Sequence, residues 1–107
     1  MSVKPRVKVG DVKAAGDVVE VKTVIQHVME TGQRRDAAGK LIPRNIIHTF
    51  TAKYSGAPVF KAELQPGISA NPFLSFFVRV PAAGELELIW EGDESFKVVE
   101  KIPVKIG

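Results

Sequence analysis

The amino-acid sequence predicts an all-β fold, an immunoglobulin-like antiparallel β-sandwich of about seven strands without a disulfide, formed as one domain over residues 1–107. Three observations carry this reading. Apolar residues recur with a period of two in most segments, turn signals separate those segments at regular spacing, and no window of helical periodicity longer than a few turns competes. The chain is long enough to bury a core, and its composition, 45% hydrophobic and 25% charged, is that of an ordinary globular domain.

In chain order, Arg6-Val7-Lys8-Val9 alternates over a short span and follows Pro5, which lacks an amide hydrogen; it is an edge-strand candidate closed by Gly10-Asp11. After Ala15-Gly16-Asp17, a half-buried strand puts Val19, Val21, Thr23 and Ile25 on one face, with Glu20, Lys22 and Gln26 on the other. Residues 46–54 are rich in β-branched and aromatic side chains, and Ser55-Gly56 supplies a two-residue hairpin turn into a strand over 58–64. Gln65-Pro66-Gly67 fits a type II turn, and Pro72 holds Asn71 extended, so 65–72 reads as an ordered loop.

In Phe73–Val80, the even positions Leu74, Phe76, Val78 and Val80 form a core face. Phe73 and Phe77 then lie opposite, with Ser75 and Arg79. Two aromatics on a second face are a surplus, to be covered by a loop of the chain or by a partner. Ala82-Ala83-Gly84 turns the chain into a strand with Leu86, Leu88 and Trp90 inward and Glu85, Glu87 and Glu91 outward. The last run places Phe96, Val98, Ile102, Val104 and Ile106 on one face and Lys97, Lys101 and Lys105 on the other; Glu100 breaks the apolar series, where a bulge would fit.

Residues 27–44 stand apart from this scaffold. A polar connection of that length calls for either a function or disorder. Its apolar members Met29, Leu41 and Ile42, with Asp36-Ala37-Ala38-Gly39 matching a type I turn, favour order: a protruding hairpin in which Gln33-Arg34-Arg35 returns against Lys40-Leu41-Ile42. Its cargo is charge, with Arg34, Arg35, Lys40 and Arg44 set against Glu30 and Asp36. Guanidinium forks suit phosphate, sulfate or an acidic protein surface, although such a pair is usually a solvated turn.

Other chemistry finds little support. There is no Cys, which excludes a thiol nucleophile, a disulfide framework and a thiolate metal site. His27, Glu30 and His48 are the raw material for a metal site, but a hydrogen-bonded structural role suits each histidine better; no metal or other cofactor is expected. No serine sits in a nucleophile elbow, so no catalytic residue is assigned. The balance of 15 Lys and Arg against 12 Asp and Glu is only mildly basic, and residues 33–44 hold no aromatic for base stacking, so nucleic acid is not an expected partner. No apolar run reaches the roughly 18 residues of a membrane span, and the start Met1-Ser2-Val3-Lys4-Pro5-Arg6 lacks the apolar stretch of a signal peptide; neither a membrane partner nor a leader is expected.

The stretch His27-Val-Met-Glu-Thr-Gly-Gln-Arg-Arg-Asp36, followed by Leu41-Ile-Pro-Arg44 and Ala70-Asn-Pro-Phe-Leu-Ser-Phe76, resembles the SoxZ subunit of the thiosulfate-oxidising SoxYZ sulfur carrier. The resemblance extends from Lys4-Pro5-Arg6 to Leu88-Ile89-Trp90. Val28 departs from a usual Pro, and Arg35 from a frequent Lys. The resemblance implies a non-catalytic subunit that forms a heterodimer with SoxY, whose C-terminal arm bears the sulfur-carrying cysteine, and that meets other Sox enzymes transiently through the complex. It also implies a periplasmic location reached by export with SoxY. On this reading Met29, Glu30, Arg34, Arg35, Arg44, Asn71, Phe73 and Phe77 are the candidate partner contacts. Two alternatives stay open: a SoxZ-like module of a related carrier with another Y-like partner, and a stand-alone metal- or small-molecule-binding sandwich.

Overall fold

The computed structural model describes residues 5–27, 29–64 and 72–107. They form seven strands: β1 (Arg6–Val9), β2 (Asp17–Val24), β3 (Ile47–Tyr54), β4 (Ala57–Glu63), β5 (Phe73–Val80), β6 (Gly84–Gly92) and β7 (Lys97–Val104). All pairings are antiparallel, giving a three-stranded sheet in the order β1-β2-β5 and a four-stranded sheet in the order β4-β3-β6-β7. The predicted strands are all present. The loop expected over 65–72 falls almost wholly outside the described residues.

The core lies between the two sheets and is built from the alternating faces that the sequence marks out. Val19, Val21 and Thr23 of β2 and Phe76, Val78 and Val80 of β5 face Phe50, Ala52, Leu86, Leu88 and Trp90 of the larger sheet. Aromatic rings join the layers: Phe76 of the small sheet meets Phe50 at 5.6 Å between centroids and stacks on Phe60 at 4.7 Å, while Phe50 meets Trp90 within the large sheet at 5.1 Å. Such contacts add about 0.5–1.5 kcal/mol each beyond the area they bury. Thr23, buried in the core, donates its hydroxyl to the Leu74 carbonyl, so the burial of this hydroxyl leaves no unmet donor.

The turns follow their chemistry. Ser55 and Gly56 both have positive φ, the requirement of a two-residue hairpin that matches strand twist. The Tyr54 hydroxyl donates to the Ala82 carbonyl, fastening the end of β3 to the turn between β5 and β6. No bulge forms at Glu100. The β6–β7 ladder runs without a register shift from Gly84↔Val104 to Glu91↔Lys97, and Glu100 instead points partly inward opposite Leu88. The shifts fall elsewhere, between Ala52 and Lys53 against β4 and between Ile47 and Thr49 against β6.

The second irregularity depends on Gly92. Here β3 approaches so closely that a Cβ on Gly92 would stand 2.5 Å from the Ile46 carbonyl oxygen and 3.0 Å from the Ile47 Cα. Gly92→Ala is therefore expected to lower unfolding free energy by about 1–3 kcal/mol, the cost of overpacking. Gly39→Ala places its methyl in open space and strains only a positive φ, costing about 1 kcal/mol. Urea unfolding of the two variants checks the order.

Candidate interaction surface

Two surface features stand out, the hairpin and the outer face of the small sheet. The first is the hairpin. Glu30 and Asn45 exchange both backbone hydrogen bonds at 2.8 Å, Arg34 accepts from the Ile42 amide, and Arg35 faces Leu41. At the tip the Gly39 amide donates to the Asp36 carbonyl, and the Asp36 amide donates to the Lys40 carbonyl. This is a type I turn completed by Gly39 at φ 83°. The Asp36 carboxylate accepts from the amides of Ala38 and Lys40, so aspartate belongs here for a local reason.

The hairpin is pinned at its base to the turn between β6 and β7. Arg44 makes a bidentate pair with Asp93, both bonds 2.8 Å; Asp93 also accepts from the Ile46 amide, and Asn45 donates to Glu94. The Arg44 guanidinium, more than any other group, holds the Asp93 carboxyl below the usual carboxylate range. Arg34 is paired with Glu30 at 2.7 Å, and Arg35 donates to the Gly39 carbonyl. Arg34 and Arg35 remain exposed, whereas Arg44 is committed to holding the hairpin down.

Met29 does not reach the surface. It is 5% exposed, has φ 51°, and its Sδ accepts the Ile47 amide at 3.3 Å. The left-handed backbone turns its side chain into the core, which removes it from the partner contacts expected from sequence. Asn71 lies outside the described residues. His27 stacks edge-on against Phe96 at 4.8 Å, and its Nδ1 accepts the Met29 amide. His48 Nδ1 faces the Thr49 hydroxyl at 2.9 Å. Among the described residues no three His, Asp or Glu side chains gather as a metal site.

The second feature is the outer face of the small sheet. Phe73 is 61% exposed and Phe77 65%. They stand about 13 Å apart along β5, four strand residues. Register places Val24 beside Phe73, Glu20 beside Phe77, Lys22 beside Ser75 and Val18 beside Arg79, with Arg6 and Lys8 of β1 beyond. A shallow groove of about 220 Å³, lined by Arg6, Lys8, Lys22, Val24 and Phe73 among others, runs beside Phe73. Glu20 is the one carboxylate among these face positions, and it is engaged by the Ser75 hydroxyl at 2.7 Å and by Lys22 at 3.7 Å. The face thus carries exposed apolar groups at Phe73 with Val24 and at Phe77, with Ser75 and Lys22 between them and the cations Arg6, Lys8 and Arg79 at its margins.

The outer face of the large sheet differs. There Glu87 lies opposite both Lys53 and Lys101, and Glu91 opposite Lys97, so that the exposed Val99, paired with Ile89, is set among balanced charges and no aromatic among the described residues of that face is exposed. Of the two faces, the small sheet's has the composition of an interface. Val18 and Val24 extend it. Their alternation with Glu20 and Lys22 is visible in sequence, but only the β2–β5 pairing brings them beside the phenylalanines.

A family model for "Sulphur oxidation protein SoxZ" matches residues 7–102. The chain belongs to the SoxZ family. No curated protein sequence matches it. Among solved structures, it is similar to a superoxide reductase (neelaredoxin) from Ignicoccus hospitalis at 14% identity and a TM-score of 0.70, covering 98% of this chain and 82% of that one. It is also similar to the sulfur carrier protein SoxY from Chlorobium limicola f thiosulfatophilum, at 13% identity and a TM-score of 0.62, covering 95% and 74%. At these identities the likeness is one of fold. Sandwich architecture is thus common to this SoxZ chain and to a SoxY.

His27 gives the surface's supporting loop a pH dependence. Burial, the larger influence, holds its pKa below the ordinary 6.5, against weaker opposing pulls from Asn45 and Asp93. The folded state therefore binds fewer protons than the unfolded chain just below pH 6.5. Its stabilising contribution is complete above that pH and is lost as pH falls towards the depressed folded value. Wild type is expected to lose stability as pH falls from 7.5 to 5.5, and His27→Gln to show a shallower decline, in urea titrations across that range.

Proposed function

We propose that this chain is the non-catalytic Z subunit of a SoxYZ sulfur carrier. It binds SoxY through the outer face of the β1-β2-β5 sheet, and SoxY carries the sulfur intermediates on its C-terminal arm cysteine during thiosulfate oxidation. The observation that carries this reading is the pair Phe73 and Phe77, both exposed on one face of an ordered strand whose charged neighbours are mostly cations. Family membership supports the pathway, and the lack of Cys in the sequence fits a partner that bears the covalent chemistry. The complex works in the periplasm, exported with SoxY, where it meets the other Sox enzymes.

In this arrangement the chain supplies binding and orientation. Aromatic anchors remove apolar area from water on both sides, and Arg79, Lys22 and the β1 cations set the orientation of an acidic surface. The hairpin leaves Arg34 and Arg35 exposed for a transient contact with a downstream enzyme or for attracting the carried thiosulfonate.

Native mass spectrometry of the chain with SoxY tests the reading: a 1:1 complex is expected, and a bare monomer in the presence of excess SoxY would overturn it. The double variant Phe73→Ser, Phe77→Ser is expected to weaken that complex by about 30-fold or more, a loss of ~2 kcal/mol or more, without loss of fold. Arg34→Glu with Arg35→Glu is expected to leave the heterodimer intact and slow sulfur transfer, with wild-type transfer more salt-sensitive than the variant's. Calorimetric titration and transfer kinetics at two ionic strengths separate these effects.

A further inference from the structure

The four edges of the two sheets are not alike. β1 is four residues long and follows Pro5. β4 contains Pro58 and is bulged, since Phe60 pairs with Ala52 and Pro58 with Lys53, leaving Val59 without a partner. β7 contains Pro103, turns Glu100 partly inward and presents Lys97 and Lys101 outward. Short length, proline, a bulge, an inward charge and outward lysines are the devices by which sheet edges avoid pairing with other chains. β5 has none of them. It runs eight residues, Phe-Leu-Ser-Phe-Phe-Val-Arg-Val, with no proline, no register shift against β2 and a single charge.

The hydrogen-bonding phase of β5 follows from its neighbours. The Ile25 amide donates to the Pro72 carbonyl, and register pairs Thr23 with Leu74, Val21 with Phe76 and Val19 with Val78. On the other side of β2, the Gly10 amide donates to the Glu20 carbonyl, so the even residues of β2 serve β1 and the odd ones serve β5. The even residues of β5 are thereby spent on β2. The backbone N–H and C=O groups of Phe73, Ser75, Phe77 and Arg79 point to the open edge, and among the described residues no ladder meets them. These same four residues carry the side chains of the outer face.

We infer that β5 is a pairing edge: a strand of the partner subunit adds to it, continuing the β1-β2-β5 sheet across the interface, while its side chains pack over Phe73 and Phe77. The inference rests on the SoxY reading above and specifies how that partner binds. The occupant is the edge strand of a second sandwich, with apolar side chains opposite the phenylalanines and at least one carboxylate opposite the Arg79 and Lys22 side. Charge selects it, because the four face cations Arg6, Lys8, Lys22 and Arg79 are opposed only by Glu20, already engaged. SoxY's solved fold is a sandwich of this kind and so has edge strands to offer. Main-chain bonds would supply affinity, and alternate side chains specificity.

Ser75 is the position that isolates the edge. Its amide points outward, so Ser75→Pro removes a donor without breaking a β2 bond, and edge strands admit proline there. Ser75→Ala removes the hydroxyl on Glu20 and leaves the edge whole. With SoxY of the same organism as probe, Ser75→Pro is expected to weaken binding by about tenfold or more and Ser75→Ala by less than about twofold. Equal affinity for Ser75→Pro and wild type, with the Phe73, Phe77 variant still weakened, would overturn edge pairing and leave the SoxY reading standing; failure of wild type to bind would overturn both.

Hydrogen exchange of the wild-type complex gives a second readout that no variant's folding can confound. The amides of Ser75, Phe77 and Arg79 are expected to become protected on binding, and unchanged exchange there would overturn the inference. Sedimentation of the chain alone covers the remaining occupant: a homodimer abolished by Ser75→Pro would assign the edge to a second copy and overturn the partner strand.

Discussion

The aromatic contact between Phe76 and the rings of Phe50 and Phe60 governs the rest of the surface. β5 is an edge strand with one ladder, to β2, so its ladder alone leaves it open to slippage. A slip of one residue would exchange the faces, sending Phe73 and Phe77 inward and Phe76 and Val78 outward. Filling the space between the sheets with Phe76, stacked on Phe60 and packed on Phe50, fixes which face is which. The exposure of Phe73 and Phe77 is thus a consequence of core packing on the other side of the same strand. Because β-sheet side chains alternate strictly, the core cannot be satisfied with any other outward set.

A second constraint orders the hairpin. A polar excursion of this length cannot stabilise itself by burial, and its internal bonds tie its two arms together without fixing where it stands on the sandwich. Its fixed geometry comes from the base, where Arg44 and Ile46 converge on Asp93 and Asn45 reaches Glu94. Met29 acts from the opposite side as an apolar plug, holding the chain against the Ile47 amide just before the hairpin leaves the sandwich. Between plug and clamp, the tip needs only the Asp36 turn. The clamp is exposed and so adds little to global stability. Its effect is on position, since it decides where Arg34 and Arg35 stand.

These arrangements differ in how far the residues announce them. Period-two alternation marks most of the strands and the outward direction of Phe73 and Phe77, because side-chain direction in a strand is a local property, while composition and the Ser55-Gly56 turn mark β3 and β4. The Asp36-to-Gly39 turn is local too. Met29 misleads because a lone apolar residue in a polar stretch carries no periodicity; its burial depends on a positive φ and on β3 passing beside it. Arg44 reads as free charge because its partner Asp93 lies 49 residues away. Nor does sequence order reveal that β5 pairs with β2 and not with β4, its predecessor in the chain. That crossing between sheets leaves β5 at an edge.

Edge position gives β5 its meaning. In the middle of a sheet, the same eight residues would be an ordinary hydrophobic strand with two surplus aromatics on its outer face. At an edge, with the three other edges blunted by proline, bulge, brevity or lysine, they form, among the described residues, the edge that offers both unpaired main-chain groups and apolar side chains. A surface that solubility alone had shaped would carry charge there, as the outer face of β6 and β7 does. The contrast within one small domain, between edges defended and an edge left open, is the physical reason to regard the β1-β2-β5 sheet as half of a larger one.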